Sequence, residues 1–437
     1  MNLNRIIGIL GFSLLLGNLS AQSDSIMSFS LVEAQNYAIE NYFLSVNAKK
    51  DIEIARKKIL ETTAIGLPQV TATSDYQFIP NAPSISIPMG PNPEDMISFS
   101  IAPEHTLKYG ATVSQLIFSG EYIVGLQAAK VYRTFSEENY EKVKIDLREN
   151  VAGTYYGILV LQANREVLSK TLDNLKDNLS QIEKTYQAGL VEDTEVDQLS
   201  LTVKRTENDL TSIDNQIQYM QRLFKYLLGL TDQDEVVLTE KLEYLIQTNI
   251  ISDSTYNFVL EENIEFNILQ TAEDLQKLNM DRQKSTYLPT LAGFYAYSDQ
   301  TEVSDFSPNI NHVLGVSASW PILQSGQRAA RVSQARIEYE KAQILKEQNS
   351  EGLRLTAEQA KFDYQTALRK YENEKLNFEL SAKVLNKTNE KFKLGMVSSL
   401  EQSLINIQFL TAQISYAASI QELLTAKVAL DKAYSKL

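Results

Sequence analysis

The chain contains no cysteine, which excludes disulfide staples, thiolate metal sites and a lipid-modified cysteine. Histidine is nearly absent. His105 and His312 are the 2 in the sequence, and no His-Glu-x-x-His or related spacing surrounds either, so a metal site or catalytic triad has no material. No phosphate-cradling glycine loop and no nucleophile elbow occurs. Neither an enzyme nor a cofactor is expected. Basic charge is also short, with Lys+Arg 41 against Asp+Glu 55 and a net charge of −14; without a basic stripe, nucleic acid is not a partner. Proline (10) and glycine (17) are too scarce for a Pro/Gly-rich disordered chain, and a hydrophobic share of 43% points the same way. Beyond the N-terminus no window reaches the roughly 18 to 20 consecutive apolar residues of a membrane helix.

The N-terminus itself carries an address. Arg5 precedes the apolar run Ile6 to Leu16, and the small residues Ser20 and Ala21 stand before polar Gln22. This order of charge, apolar core and small-residue exit predicts a secretory signal peptide over 1–21. An exported chain without a spanning helix is periplasmic, secreted or an outer-membrane barrel.

The remainder repeats itself. From about residue 31 the order is helix, strand, Pro-rich loop, strand, long helix, hairpin tip and helix, and from about residue 256 the same order returns. YQAGLV at 186–191 matches FKLGMV at 392–397, and LIFSG at 116–120 matches PILQSG at 321–326, at an offset of about 206 residues. Leu126, Ala129 and Lys130 match Val332, Ala335 and Arg336, and GLPQV at 66–70 resembles YLPTL at 287–291. So long a period indicates a duplicated supersecondary unit rather than a solenoid. The expected division is a first repeat over 22–255, ending in a linker over 231–255, and a second repeat over 256–437.

Heptad seams run along the helices. Leu199, Val203, Leu210, Ile213, Ile217, Met220, Phe224 and Leu227 alternate by three and four with one gap at Thr206. Leu168, Leu172, Leu175, Leu179, Ile182 and Tyr186 keep the rhythm on the preceding helix. In the second copy Tyr364, Tyr371, Phe378, Leu385 and Phe392 recur every seventh residue, followed by Leu400, Leu404, Ile407, Thr411 and Ile414 as the expected seam of the returning helix. Residues 121–187 hold no proline, and as one helix they span roughly 100 Å, a rod longer than a globular bundle needs. The helices over 31–63 and 194–230, set end to end, match that length.

Between the helices lie segments of period two, expected as strand pairs over 67–80 with 106–119 and 288–298 with 311–323. Val70, Ala72, Ser74, Tyr76 and Phe78 share one side, with Thr71, Thr73, Asp75 and Gln77 opposite; Leu107, Tyr109, Ala111 and Val113 repeat the pattern. In the second copy Leu314, Val316, Ala318 and Trp320 oppose Ser317 and Ser319, while 290–298 alternates less cleanly. Strands of about ten residues, apolar outward and polar inward, fit a membrane barrel, and a soluble sheet with one wet face has the same pattern. Residues 79–105 carry six of the 10 prolines and isolated Ile85, Ile87 and Ile97, predicting a long exposed loop. Four strands cannot close a barrel in lipid, so in a membrane the chain must oligomerise, and three copies supply twelve strands. A periplasmic coiled-coil scaffold or adaptor with a small soluble sheet is the alternative.

Over essentially the whole mature chain the sequence resembles the TolC-like outer-membrane efflux proteins. The resemblance rests on FSLVEAQNYAIENY at 29–42, LPQV at 67–70, VSQLIFSG at 113–120, YQAGLVEDTEVDQ at 186–198 and its echo FKLGMVSSLEQSL at 392–404. It implies a mostly α fold with a membrane β-barrel portion: a homotrimer whose twelve-stranded barrel continues into a periplasmic α-helical barrel. It also implies a passive export channel of a tripartite efflux or type I secretion system, working with a periplasmic adaptor and a proton-driven or ATP-driven inner-membrane pump. The family's adaptor-contact tips carry onto Gly189, Leu190 and Val191 and onto Gly395, Met396 and Val397. Acidic gate residues near the tips carry onto Asp193, Glu195 and Glu401, where Glu401-Gln402 departs from the usual pattern. Thr194 and Ser399 are the expected caps of the returning helices.

Overall fold

The computed structural model describes residues 27–88, 96–249, 256–302 and 310–437. The expected signal peptide over 1–21 and residues 250–255 of the expected linker lie outside them.

Two helices of extreme length organise the chain. Helix α3 (Gly120–Gln187) has 68 residues and α7 (Gln327–Lys393) has 67, each roughly 100 Å at about 1.5 Å per residue. Against α3 lie α1 (Leu31–Asn41) and α2 (Phe43–Ile65) on its first half and α4 (Asp193–Leu228) on its second. Side-chain contacts fix this order. Tyr122 Oη donates to the Thr63 carbonyl at 3.3 Å, Gln35 Nε2 to the Arg148 carbonyl at 3.1 Å, and Arg165 pairs with Asp214 at 2.5 Å. The short helices meet end to end where Tyr42 and Tyr226 pack edge-on with ring centroids 5.7 Å apart. Here Gly229 turns the chain at φ 72°, and a Cβ on it would come within 2.6 Å of the Asn41 carbonyl oxygen. The second copy repeats the plan, α6 (Ile264–Ser285) and α8 (Ser399–Ala433) lying along α7.

A shared core joins the copies at mid-height. Strand β1 (Met27–Phe29) pairs in parallel with β6 (Val236–Leu238), and Val151, Tyr155, Phe224, Leu228, Leu423, Leu424 and Leu430 are buried together beneath them. Tyr155 Oη donates to the Phe29 carbonyl at 3.1 Å. Burial pushes its pKa up to about 12, so the phenol stays protonated and can donate. Helix α5 (Leu242–Asn249) follows β6 and adds Leu245 and Ile246 to this core. Ion pairs stitch the copies around it: Lys142 to Glu265 at 2.6 Å, and Lys432 to Asp146 and Glu149, both at 2.7 Å. At the start of α1, Ser30 and Glu33 form a reciprocal capping box. The two hydrogen bonds from Ser30, from its backbone N–H first, hold the Glu33 carboxyl below the usual range.

The strands at the far end from the hairpin tips form one antiparallel sheet in the order β2 (Gln69–Phe78), β5 (His105–Phe118), β7 (Thr290–Gln300), β8 (His312–Ser319). Pro68 and Pro80 bracket β2 and supply no backbone N–H. Beyond β2 the Pro-rich segment is not the plain loop expected. Strands β3 (Ser84–Pro88) and β4 (Met96–Ser100) pair in it, with Ile85 opposite Phe99 and Ile87 opposite Ile97. Isoleucines that look isolated in the sequence share one face of a hairpin, because its register brings odd-numbered residues together.

Candidate functional site: the sheet face and the hairpin tips

Register decides which side chains share a face, since directly paired residues of an antiparallel ladder point the same way. Val70 pairs with Val113, Tyr76 with Leu107 and Phe78 with His105. Across the next ladder Val113 pairs with Tyr295 and Ala111 with Tyr297, and then Leu314 with Tyr295 and Val316 with Gly293. Ser74 pairs with Tyr109, which brings that tyrosine to the same side. One face therefore collects Val70, Tyr76, Phe78, Leu107, Tyr109, Val113, Leu314 and Val316. The other collects Gln69, Thr71, Thr73, Asp75, Lys108, Thr112, Ser114, Ser298 and Ser317, with Phe294 among them. Among the described residues nothing lies over the apolar face: Val70 is 71% exposed and Leu314 83%. Trp320 differs from expectation in one respect. It stands one residue past β8, because Pro321 has no N–H to extend the ladder, and its indole donates to the Tyr287 carbonyl at 3.0 Å.

Both edges of the sheet, β2 and β8, lack a partner strand among the described residues. An open edge is a row of unpaired N–H and C=O groups.

The hairpin tips are copies of one turn. Gly189 (φ 72°) and Gly395 (φ 70°) take the left-handed conformation, which costs an L side chain roughly 1–2 kcal/mol and glycine almost nothing. In the first tip Gly189 N donates to the Tyr186 carbonyl at 2.8 Å and Leu190 N to Thr185 at 3.1 Å; in the second, Gly395 N donates to Phe392 at 2.9 Å and Met396 N to Lys391 at 3.0 Å. The turn satisfies the last carbonyls of each long helix and thrusts Leu190 and Met396 into the open, while Val191 and Val397 stay half-buried. Helix caps fall one or two residues earlier than the sequence indicates. Glu192 and Ser398 are the N-caps, and Ser398 Oγ accepts from Glu401 N at 3.2 Å. Thr194 lies inside the first turn, its N–H on Asp193 Oδ1 at 2.8 Å.

The acidic candidates separate. Ser399 Oγ donates to Glu195 Oε2 at 2.6 Å, joining the start of α8 to the start of α4. Glu195 is therefore half-buried between the hairpins, whereas Asp193 and Glu401 are exposed.

Sequence periodicity misassigns one seam. The stripe Leu400, Leu404, Ile407, Thr411 and Ile414 is not the seam of α8 on its own chain; all five residues are exposed. The buried positions over 399–413 include Ser399, Gln402, Asn406, Phe409 and Gln413, another three-four alternation on the same helix. At roughly 3.6 residues per turn the two stripes lie more than a third of a turn apart. The apolar stripe is the more visible in sequence, yet the polar one faces the chain's own core. By contrast the α4 seam falls as its spacing indicates, with Leu199, Val203, Phe224 and Leu227 buried. Thr206, the apparent gap, is buried too, and its hydroxyl is satisfied by the Thr202 carbonyl at 2.9 Å.

Residues 44–229 and 257–435 match the model of a family described as Outer membrane efflux protein. Outer membrane protein TolC of Vibrio cholerae is 22% identical over 335 residues, covering 74% of this chain and 71% of that protein. Among solved structures, the Campylobacter jejuni CmeC outer membrane channel superposes with a TM-score of 0.74 at 15% identity, covering 100% of this chain and 94% of that one. The Vibrio cholerae outer membrane protein VceC gives a TM-score of 0.72 at 14% identity, covering 92% of this chain and 95% of that one; such low identity carries the fold alone. With both structural copies matched, the chain belongs to the outer membrane efflux protein family.

Proposed function

We propose that three copies of the chain join their four-stranded sheets edge to edge into a twelve-stranded barrel in the outer membrane, and that the long helices continue it as a tube into the periplasm. The observation that carries this reading is the sheet itself, which among the described residues has two unpaired edges and one uncovered apolar face. In hydrocarbon each unpaired backbone group costs several kcal/mol, so an open sheet of four strands must find neighbours there. Edge β8 of one protomer meeting β2 of the next closes the ring. Val70, Tyr76, Phe78, Leu107, Tyr109, Val113, Leu314, Val316 and Trp320 then face lipid, and the polar face lines the bore. The outward stripe of α8 supports the same assembly, since it offers the next protomer's helices a seam.

The channel conducts passively, an inner-membrane pump driven by protons or ATP supplying the energy. Gly189, Leu190 and Val191 with Gly395, Met396 and Val397 meet a periplasmic adaptor at the tips. Asp193, Glu195 and Glu401 ring the constriction there and favour cations. The test is the native mass of protein extracted from outer membranes in mild detergent, corrected for bound detergent. Three protomers, absent from the soluble fraction, are expected; a soluble monomer or dimer removes the lipid-facing role of the sheet and restores the scaffold reading.

A further inference from the structure

Conduction through the barrel makes no use of the 2 histidines. Yet the fold sets them in equivalent surroundings. Each is the first residue of a strand returning from the loop end of the sheet, His105 on β5 and His312 on β8, and each is exposed on the apolar face. His105 Nδ1 lies 2.8 Å from Tyr76 Oη, and His312 Nδ1 lies 2.8 Å from Tyr295 Oη. In register His105 pairs with Phe78 and His312 with Tyr297. The imidazoles lie against those rings at centroid distances of 4.7 and 5.2 Å. The arrangement is therefore one tyrosine, a second aromatic two residues on, and a histidine across the ladder, built once in each copy.

Two constraints orient each imidazole. The tyrosine ring lies nearly parallel to the imidazole, at 18° in the first cluster and 22° in the second, and its phenol occupies Nδ1. With the phenol donating, the imidazole proton resides on Nε2, which becomes a donor directed away from that phenol. A donor on a lipid-facing surface is costly in hydrocarbon and satisfied only at the headgroups. The depth agrees. From Trp320, at the helix end of the sheet, to His312 is eight residue steps, roughly 26 Å along the strand at about 3.3 Å each; at the roughly 40° tilt of barrel strands this is about 20 Å of height, most of the apolar band of about 25 Å in outer-membrane barrels. The clusters thus stand at the boundary remote from the periplasmic helices, where the outer leaflet presents its phosphates. The other charged groups near this rim, among the described residues, are Asp299, which accepts from Tyr109 Oη at 3.1 Å on the same face, Asp75 and Lys108 paired on the opposite face, Glu104 in the adjoining loop and Glu302 just past β7.

We propose that the Tyr76–His105 and Tyr295–His312 clusters bind the phosphate groups of outer-leaflet glycolipid through Nε2–H, and so fix the depth of the barrel. The inference rests on the membrane-barrel reading, and a closed trimer would carry six such clusters.

The test is native mass spectrometry of the detergent-purified trimer titrated with bis-phosphorylated lipid A and, in parallel, with enzymatically dephosphorylated lipid A. The wild type is expected to prefer the phosphorylated lipid roughly five- to tenfold, the scale of one net hydrogen bond per site. His105→Phe with His312→Phe keeps the ring packing and should abolish the preference. Tyr76→Phe with Tyr295→Phe keeps the histidines, frees Nδ1 and should weaken the preference. An undiminished preference in the His variant overturns the proposal, as does full competition by an equal concentration of inorganic phosphate, which would make the ligand a soluble anion. Trimer mass and detergent partition are read first. A wild type that is not a detergent-dependent trimer sinks the barrel reading itself, whereas a trimer indifferent to lipid phosphate sinks only this inference.

Discussion

Replacing Leu404 and Ile407 together by serine separates the two stripes of α8. Leu400, Leu404, Ile407 and Ile414 keep 51%, 57%, 40% and 58% of their surface exposed in the single chain. Complete burial of such a side chain is worth about 1.5–3 kcal/mol, so each has about 1 kcal/mol still to gain from a neighbour. The double substitution should therefore cost about 2 kcal/mol at each subunit contact, a factor of roughly thirty in its equilibrium constant. Because neither residue packs in the chain's own core, far-UV circular dichroism should retain its helical signal. What should fall is the temperature at which trimers dissociate in detergent, read by native gel or mass. Leu199→Ser with Val203→Ser is the contrasting pair, since both residues are buried within the first hairpin and should lose helical signal directly. A Leu404/Ile407 variant with unchanged trimer stability, or one that loses helix content as severely as the Leu199/Val203 pair, would refute the assignment of this stripe to the subunit contact.

Three further outcomes follow from the same geometry. Glu195→Gln with Glu401→Gln should raise single-channel conductance in planar bilayers by weakening the charge-assisted Ser399–Glu195 bond that ties the two hairpins together, and an unchanged conductance would dismiss the gate role. Gly189→Ala should cost roughly 1–2 kcal/mol for its left-handed backbone, since a Cβ there meets nothing within 4 Å, whereas Gly229→Ala should cost at least twice that because its Cβ would strike the Asn41 backbone; equal thermal shifts would contradict this. Glu138 is held above the ordinary glutamate value of 4.5, by burial first and by the Asp274 charge, with the Thr271 hydroxyl opposing, and its Oε2 has no hydrogen-bond partner. A carboxyl raised in the folded state favours folding below its unfolded pKa, and that contribution is lost as pH rises through the folded value. Glu138→Gln should therefore raise the melting temperature at pH 7 and leave it unchanged at pH 4, and a shift of equal size at both would exclude ionisation as the cause.

The fold class was legible because its signals are long. Sixty-odd residues without proline announce the rods, and alternation at Val70–Phe78 and Leu107–Val113 announces a two-faced sheet. The tips were legible through glycine, the residue the left-handed turn requires. Other features depend on residues distant in sequence and left no local trace. The Tyr76–His105 contact spans 29 positions and the Glu195–Ser399 contact 204, so histidines that look isolated have tight partners in space. The α8 seam failed for a different reason. Helix α8 carries two heptad stripes, and hydrophobicity identifies the greasier one, which the chain leaves exposed, rather than the one its own core covers. The strand pair in the Pro-rich segment has no clear sequence signal because its apolar face consists of single residues separated by serines on two short, separate strands.

That double seam makes the duplicated hairpins unequal. Near the first tip Leu172, Leu175, Leu199 and Val203 form a buried apolar cluster. At the corresponding depth of the second, α8 buries Ser399, Gln402, Ser403, Asn406 and Gln413 beside only Phe409 and Ala412, and Gln402 Oε1, Ser403 Oγ and Gln413 Oε1 have no hydrogen-bond partner there. Burying polar atoms unpaired costs roughly 1–3 kcal/mol each, so this hairpin gains less from its own packing. Its restraints come instead from outside: from Glu195 through Ser399, from Asn164 through Gln413 at 2.6 Å, and from whatever covers the outward stripe. In dissociated protomers, amide hydrogens over 399–414 should therefore exchange faster than those over 193–210, because opening free energy follows local apolar packing. In assembled trimers the two segments should approach equal protection. If the protomer already protects both alike, the polar seam is sufficient by itself, and the outward stripe must act on something other than the stability of α8.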